Sequence, residues 1–268
     1  MAEAPAGSSA ADSKEQPLII AMLAALIYEV RPFLRLVKAG RRPDLNFPAW
    51  EFEAGEARGL AAVSGVGEAA ARGAAEQLLA VGRPRVLLSV GFGGGLTPEV
   101  PPGAVVLGGS YWQYAPETGE MREAAPPPVP FAAADLVKRL ADAGLPVMAG
   151  SIVTAPVILG KADPLPALRR LRHPVLDLET AAVAAVAGAH GVPFLGMRAV
   201  TDAAGEEIPA FLTEALNANR TPGVGMALGW LARDPRRVLQ LLHFWRRSRG
   251  AARNLARAME LLLPLLTA

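Results

Sequence analysis

Pro84-Arg85-Val86-Leu87-Leu88-Ser89-Val90-Gly91-Phe92-Gly93-Gly94-Gly95 is the stretch on which the fold turns. Arg85–Val90 is rich in Val and Leu, with Pro84 before it and Gly91 after it, which marks a short strand. Upstream, Glu68–Leu79 reads as a helix, and Leu60–Val63 as a strand stopped by Ser64-Gly65-Val66-Gly67. Further back, Leu26–Lys38 reads as a helix broken or restarted at Pro32, after a first strand at Leu18–Met22. Downstream come a strand at Ala104–Leu107, a proline-rich loop at Ala115–Pro130, a helix at Ala132–Ala143 and a strand at Val147–Val153. Val175–Leu178 then runs directly into a helix at Thr180–His190, and Phe194–Val200 is the last strand. From Glu207 onward the pattern is helical, with breaks at Pro222-Gly223 and Pro235. Strands alternating with helices predict an α/β protein, a three-layer sandwich around a central mixed, largely parallel sheet with extra C-terminal helices.

No internal repeat is visible, so we expect one catalytic domain over residues 17–268. Residues 1–16 are small and polar and predict a disordered tail, and residues 206–249 read as a helical insert. With 51% hydrophobic residues in 268, the chain can bury a large core without covalent staples. It has no cysteine, which removes disulfides and thiolate chemistry, and His173, His190 and His243 are too scattered for a histidine metal cluster. A net charge of +2 gives no nucleic-acid footprint, although arginines crowd the C-terminal region. The apolar run Pro17–Ile27 follows a net acidic flank, unlike a secretory signal, so a cytoplasmic protein is expected.

Three carboxylates fall at or soon after strand ends: Glu29, Glu179 and Asp202. An acid at the rim of a sheet is half desolvated, which keeps it protonated longer and suits it to proton transfer. Each also has a plainer reading. Asp202 could cap a following helix, Glu179 could complement the dipole of the helix it opens, and Glu29 could be a solvated helix residue. Gly91, Phe92, Gly93 and Gly94 form a glycine-rich loop where a ligand could approach the backbone, but no phosphate-loop or dinucleotide fingerprint accompanies it.

The order of these pieces carries a resemblance. Ile19-Ile20-Ala21-Met22, Tyr28-Glu29-Val30, Ser64-Gly65-Val66-Gly67, Ser89–Leu96, Pro102-Gly103-Ala104-Val105-Val106, Leu176-Asp177-Leu178-Glu179-Thr180-Ala181 and Arg198-Ala199-Val200-Thr201-Asp202 run in series. Together they resemble the purine nucleoside phosphorylase and methylthioadenosine/adenosylhomocysteine nucleosidase superfamily. The resemblance implies cleavage of a purine N-glycosidic bond, with Asp202 as the acid that protonates the purine and Glu29 as the carboxylate that activates water. It implies that Glu179, with Leu178 beside it, holds the ribose, and that Val157 and Ile158 line the base pocket. An acid at the leaving base and carboxylates near the sugar match the charge that such a reaction develops. No cofactor is implied; inorganic phosphate remains open as a co-substrate, and so do hydrolysis and phosphorolysis.

The nucleosidase pattern has Ser where this chain has Phe92, and Met where it has Leu178. The long basic, Trp-bearing segment after Gly205 is similar to the hopanoid-associated phosphorylase branch, which implies an adenosyl-lipid such as adenosylhopane as substrate. A small soluble nucleoside and a non-catalytic nucleoside-binding module are the alternatives. Val238, Leu239, Leu242 and Trp245 fall at helical spacing among arginines, so this segment either packs on the core or lies peripherally on anionic lipid. The apolar end Leu261-Leu262-Leu263-Pro264-Leu265-Leu266 would leave a patch if exposed, and relatives bind substrate near subunit contacts, so a homo-oligomer is expected.

Overall fold

The structure, a computed structural model, describes residues 20–55, 57–159, 168–206, 208, 213 and 238–267. The expected tail over 1–16, and the insert apart from 206, 208, 213 and 238–249, lie outside the described residues. Ten strands are joined in one sheet: β1 Ile20–Ala24, β2 Gly40–Arg41, β3 Ala49–Ala54, β4 Ala57–Val63, β5 Val86–Gly95, β6 Val105–Ala115, β7 Glu120–Ala124, β8 Val147–Thr154, β9 Val175–Asp177 and β10 Phe194–Asp202. Helices among the described residues are α1 Ile27–Leu36, α2 Glu68–Gly82, α3 Ala133–Asp142, α4 Thr180–Ala189 and α5 Val238–Thr267. The α/β class with a mixed sheet is the one expected.

Strands β1, β4, β5 and β10 run parallel to one another, with β1 between β4 and β5 and β10 on the far side of β5. The sheet also closes on itself. β10 pairs with both β5 and β6, and β6, β8 and β9 return the hydrogen bonding to β5. This five-strand ring removes two free edges, and an antiparallel hairpin, β3 with β2, ends the open side.

Alternation along β1 shows the layering. Ile20, Met22 and Ala24 join the core against α1, α3 and α5, while Ala21 and Leu23 join the core against α2 and α4. In α5, Ala251, Leu255, Met259, Leu262 and Leu263 are buried against the sheet and α1. The apolar C-terminal end therefore belongs to the chain's own core, and the exposed patch on which the oligomer expectation leaned does not exist. No described helix is long and apolar enough to cross a membrane.

Three local expectations are corrected. Pro32 neither breaks nor restarts α1, which runs through it. The carbonyl deprived of its helical partner is that of Tyr28, whose side chain is 52% exposed, so water can satisfy it. The loop over Ala115–Pro130 contains β7, which pairs in register with β6 from Tyr111–Ala124 to Ala115–Glu120. Gly91, Phe92, Gly93 and Gly94 are not a loop but the last turns of pleat in β5. Their glycines answer to protein neighbours. A Cβ on Gly93 would sit 2.4 Å from Val175 Cγ1, and one on Gly95 would sit 2.5 Å from the Val100 carbonyl oxygen.

Candidate active site

The carboxyl ends of the parallel strands β1, β4, β5 and β10 meet at one edge of the sheet, the place where such sheets bind ligands. Glu29 reaches this edge from the first turn of α1. It is 5% exposed, so it is no solvated helix residue. Its Oε2 accepts from the Leu26 N–H at 2.7 Å and its Oε1 from the Phe92 N–H at 2.8 Å, which stitches β1 to β5. Gly91 makes room for it, because a Cβ there would lie 2.8 Å from Oε1. Burial raises the proton affinity of Glu29 above the usual 4.5, opposed by those two N–H groups and by Arg198.

Glu179 stands at the N-cap of α4 but does not cap it. Its Oε1 instead accepts from the Gly67 N–H at 2.8 Å, at the end of β4. Burial, helped by the like charge of Asp177, pushes its pKa up to about 8. Glu29 and Arg198 also act on Glu179 electrostatically, so the two glutamates and the arginine share one cluster. Leu178 beside it is half-buried.

Capping α4 falls to Asp177, whose Oδ2 accepts from the Thr180 N–H at 3.0 Å and from the Thr180 hydroxyl. The Thr154 hydroxyl, at the end of β8, donates to Asp177 Oδ1 at 2.6 Å and accepts from the Ala181 N–H at 2.9 Å. Arg198 completes the network. Its Nε lies 2.8 Å and its Nη2 2.7 Å from Asp177 Oδ2, and both side chains are almost wholly buried. Nη2 also reaches Ser89 Oγ at 2.8 Å, while Nη1 donates to the carbonyls of Ser89 at 2.9 Å and Met197 at 2.8 Å.

Asp202 is the last residue of β10, in register with Gly94 of β5, and is 2% exposed. The Thr201 hydroxyl lies 2.6 Å from its Oδ1. Asp202 lies four positions beyond Arg198 on β10, about 13 Å along the strand at ~3.3 Å per residue. The turn after it is pinned: the Ala203 N–H donates to Glu206 Oε2 at 3.1 Å, and Arg247 of α5 pairs with the same carboxylate. Val157 and Ile158 follow β8. Val157 is 39% exposed and Ile158 half-buried, open enough to meet a ligand, and the Gly160 that follows them lies outside the described residues. A cavity of about 10 Å³, bounded by Ser64, Ser89, Glu179 and Arg198 among others, lies inside the cluster. Among the described residues no His, Asp and Glu group could hold a metal ion.

Asp177, Arg198, Ser89 and Thr154 were not singled out from sequence. Arg198 had a signal: a cation inside the apolar run Phe194–Val200 must find a partner or not fold.

The model of the phosphorylase superfamily matches residues 19–221. The fold is also that of several solved structures. A methylthioadenosine/adenosylhomocysteine nucleosidase of Colwellia psychrerythraea, solved with adenine, aligns with a TM-score of 0.70 at 17% identity, covering 94% of this chain and 96% of that one. The corresponding nucleosidase of Campylobacter jejuni aligns with a TM-score of 0.64 at 20% identity, over 91% and 97% of the two chains. Futalosine hydrolase of Helicobacter pylori aligns with a TM-score of 0.64 at 15% identity, over 92% and 97%.

Proposed function

The chain belongs to the phosphorylase superfamily, and on that footing we propose that it is an enzyme that cleaves the N-glycosidic bond of a purine nucleoside. The observation that carries this reading is the alignment of three buried carboxylates, Glu29, Glu179 and Asp202, along one edge of the sheet. Two converge at one end, where a sugar that acquires positive charge needs them. The third, at the end of β10, would serve the departing base, which needs a proton. Glu29 is fixed by two backbone N–H groups, and burial raises its proton affinity, as suits a base. Glu179 suits the ribose hydroxyls, and Asp202 suits protonation of the purine. The test is chromatographic detection of free base from a panel of purine nucleosides. Wild type should release base, and Asp202→Asn should do so at least ~10²-fold more slowly. Nucleoside binding without any release would leave a binding module.

The finer reading is that the 5′ carbon of the adenosine bears a long apolar group, as in adenosylhopane, rather than a small soluble one. In its support, Trp245 of α5 is 53% exposed with the Arg249 guanidinium 4.5 Å from its ring centre, and Arg246 and Arg253 are exposed on the same side. That side is turned away from buried Ala251 and Leu255, so α5 offers an aromatic, basic face suited to anionic lipid. Salt-sensitive sedimentation with anionic vesicles, and faster turnover of adenosines with long 5′ alkyl groups than of adenosine, are the expected results. Preference for small polar nucleosides without vesicle binding would refute this.

A further inference from the structure

We propose that the nucleophile at this site is water, that inorganic phosphate is shut out, and that Asp177 is the residue that determines the choice. The inference rests on the reading of the site as one of N-glycosidic cleavage. The superfamily carries the name of phosphorylases, yet this site is already filled with its own anions.

A phosphate needs N–H donors and positive charge, and those of the described residues in this cluster are spent. All five N–H groups of Arg198 are engaged by Asp177, Ser89 and the Met197 carbonyl. Asp177 cannot swing away to release them, because Thr154 and both donors of Thr180 hold it from the other side. The backbone donors at the strand ends are consumed in the same way. Leu26 and Phe92 donate to Glu29, and Gly67 donates to Glu179. A phosphate oxygen placed on any of these would have to displace a carboxylate already bonded there.

The charge count agrees. Glu29 and Glu179 each contribute either no charge or one negative charge. With Asp177 and Arg198 cancelling, the four side chains sum to between zero and −2 and never to a positive value. A dianion entering a buried cluster of that sign meets repulsion in a medium that screens poorly, whereas water meets none. In the step itself, the water oxygen bonds to the anomeric carbon as the carbon–nitrogen bond breaks. The bonding pair leaves with the purine, which takes a proton from Asp202, and one water proton passes to Glu29. The products are free base and free sugar.

The experiment uses the full chain and inorganic phosphate as probe. Base release is followed in phosphate-free buffer and with added phosphate at constant ionic strength, and the sugar product is identified by mass. Phosphorus NMR measures phosphate binding in parallel. Full release without phosphate, a free sugar product and no binding are expected. A sugar 1-phosphate, a rate that rises with phosphate, or phosphate bound to wild type overturns the inference. If no nucleoside is cleaved, the cleavage reading falls and the NMR titration still decides whether phosphate is excluded. Asp177→Asn makes the count one unit more positive while its one amide oxygen still offers Arg198 and Thr180 an acceptor. Phosphate, but not chloride, should then inhibit base release. A folded variant as indifferent to phosphate as wild type removes Asp177 from the choice. If the variant does not fold, the product made by wild type decides.

Discussion

One methyl group tests the geometry of Glu29. Gly91 has backbone angles open to any L residue, so Gly91→Ala adds nothing but a Cβ. That carbon would lie 2.8 Å from Glu29 Oε1, 3.2 Å from Cδ and 3.4 Å from Oε2. Ordinary contact requires the oxygen to retreat by roughly 0.6–1 Å. The end of a glutamate usually moves at little cost, but this one is held at 2.7 and 2.8 Å by two N–H groups. Retreat from Phe92 gives up a hydrogen bond to a charged or polar acceptor, about 1.5–3 kcal/mol. A reacting group moved by ~1 Å costs on the order of 10²-fold in rate. Gly91→Ala should therefore fold, melt several degrees lower, and lose about two orders of magnitude in kcat/KM for base release. Gly109→Ala is the control, since its Cβ meets nothing nearer than the Gly150 carbonyl oxygen at 3.6 Å and should change neither quantity. A Gly91→Ala enzyme with wild-type turnover would show that the position of Glu29 does not matter, and the role given to it would be wrong.

Asp202→Asn should lower kcat by at least ~10²-fold with its melting temperature kept, read by base release and thermal denaturation. The raised pKa of Glu179 predicts a pH dependence of stability. Between the usual 4.5 and about 8 the unfolded chain has lost this proton and the folded chain keeps it, so stability falls as pH rises through that window and levels off above it. Melting temperatures measured from pH 5 to pH 8.5 should show the decline, and Glu179→Gln should flatten it; a wild-type profile that rises would contradict the burial of this group. Arg198→Lys removes two of the five N–H donors from a buried pair and should cost about 3–5 kcal/mol in urea denaturation, because Asp177 stays buried with poorer company.

The elements that could be read without coordinates are those whose signals are local. β5 and β10 are apolar runs cut off by Gly or Pro, and α4 follows β9 without a loop. The hairpin strand β3 was passed over even though Trp50 and Phe52 alternate with Glu51 and Glu53. β7 is hidden by the prolines around it, and Pro32 sits inside α1 without ending it. The carboxylates were legible because strand ends are where sheets place chemistry. Their partners were not. That Arg198 would find Asp177 and Ser89 depends on the register of β10 against β5 and on closure of the ring through β9, and pairings between distant strands leave no mark in a local pattern.

The hydrogen bonds that build the cluster join residues far apart along the chain: 63 positions between Glu29 and Phe92, 112 between Gly67 and Glu179, and 109 between Ser89 and Arg198. Helix α1 supplies one carboxylate and the last strand supplies the arginine and Asp202. A growing polypeptide therefore has no site to offer until β10 has left the ribosome, and contacts of such span form late in folding. Activity becomes a certificate that synthesis has passed β10. For the same reason the chain lends itself to splitting: two pieces parted in the exposed turn at Gly144 would each be inert and would regain turnover only on reassociation.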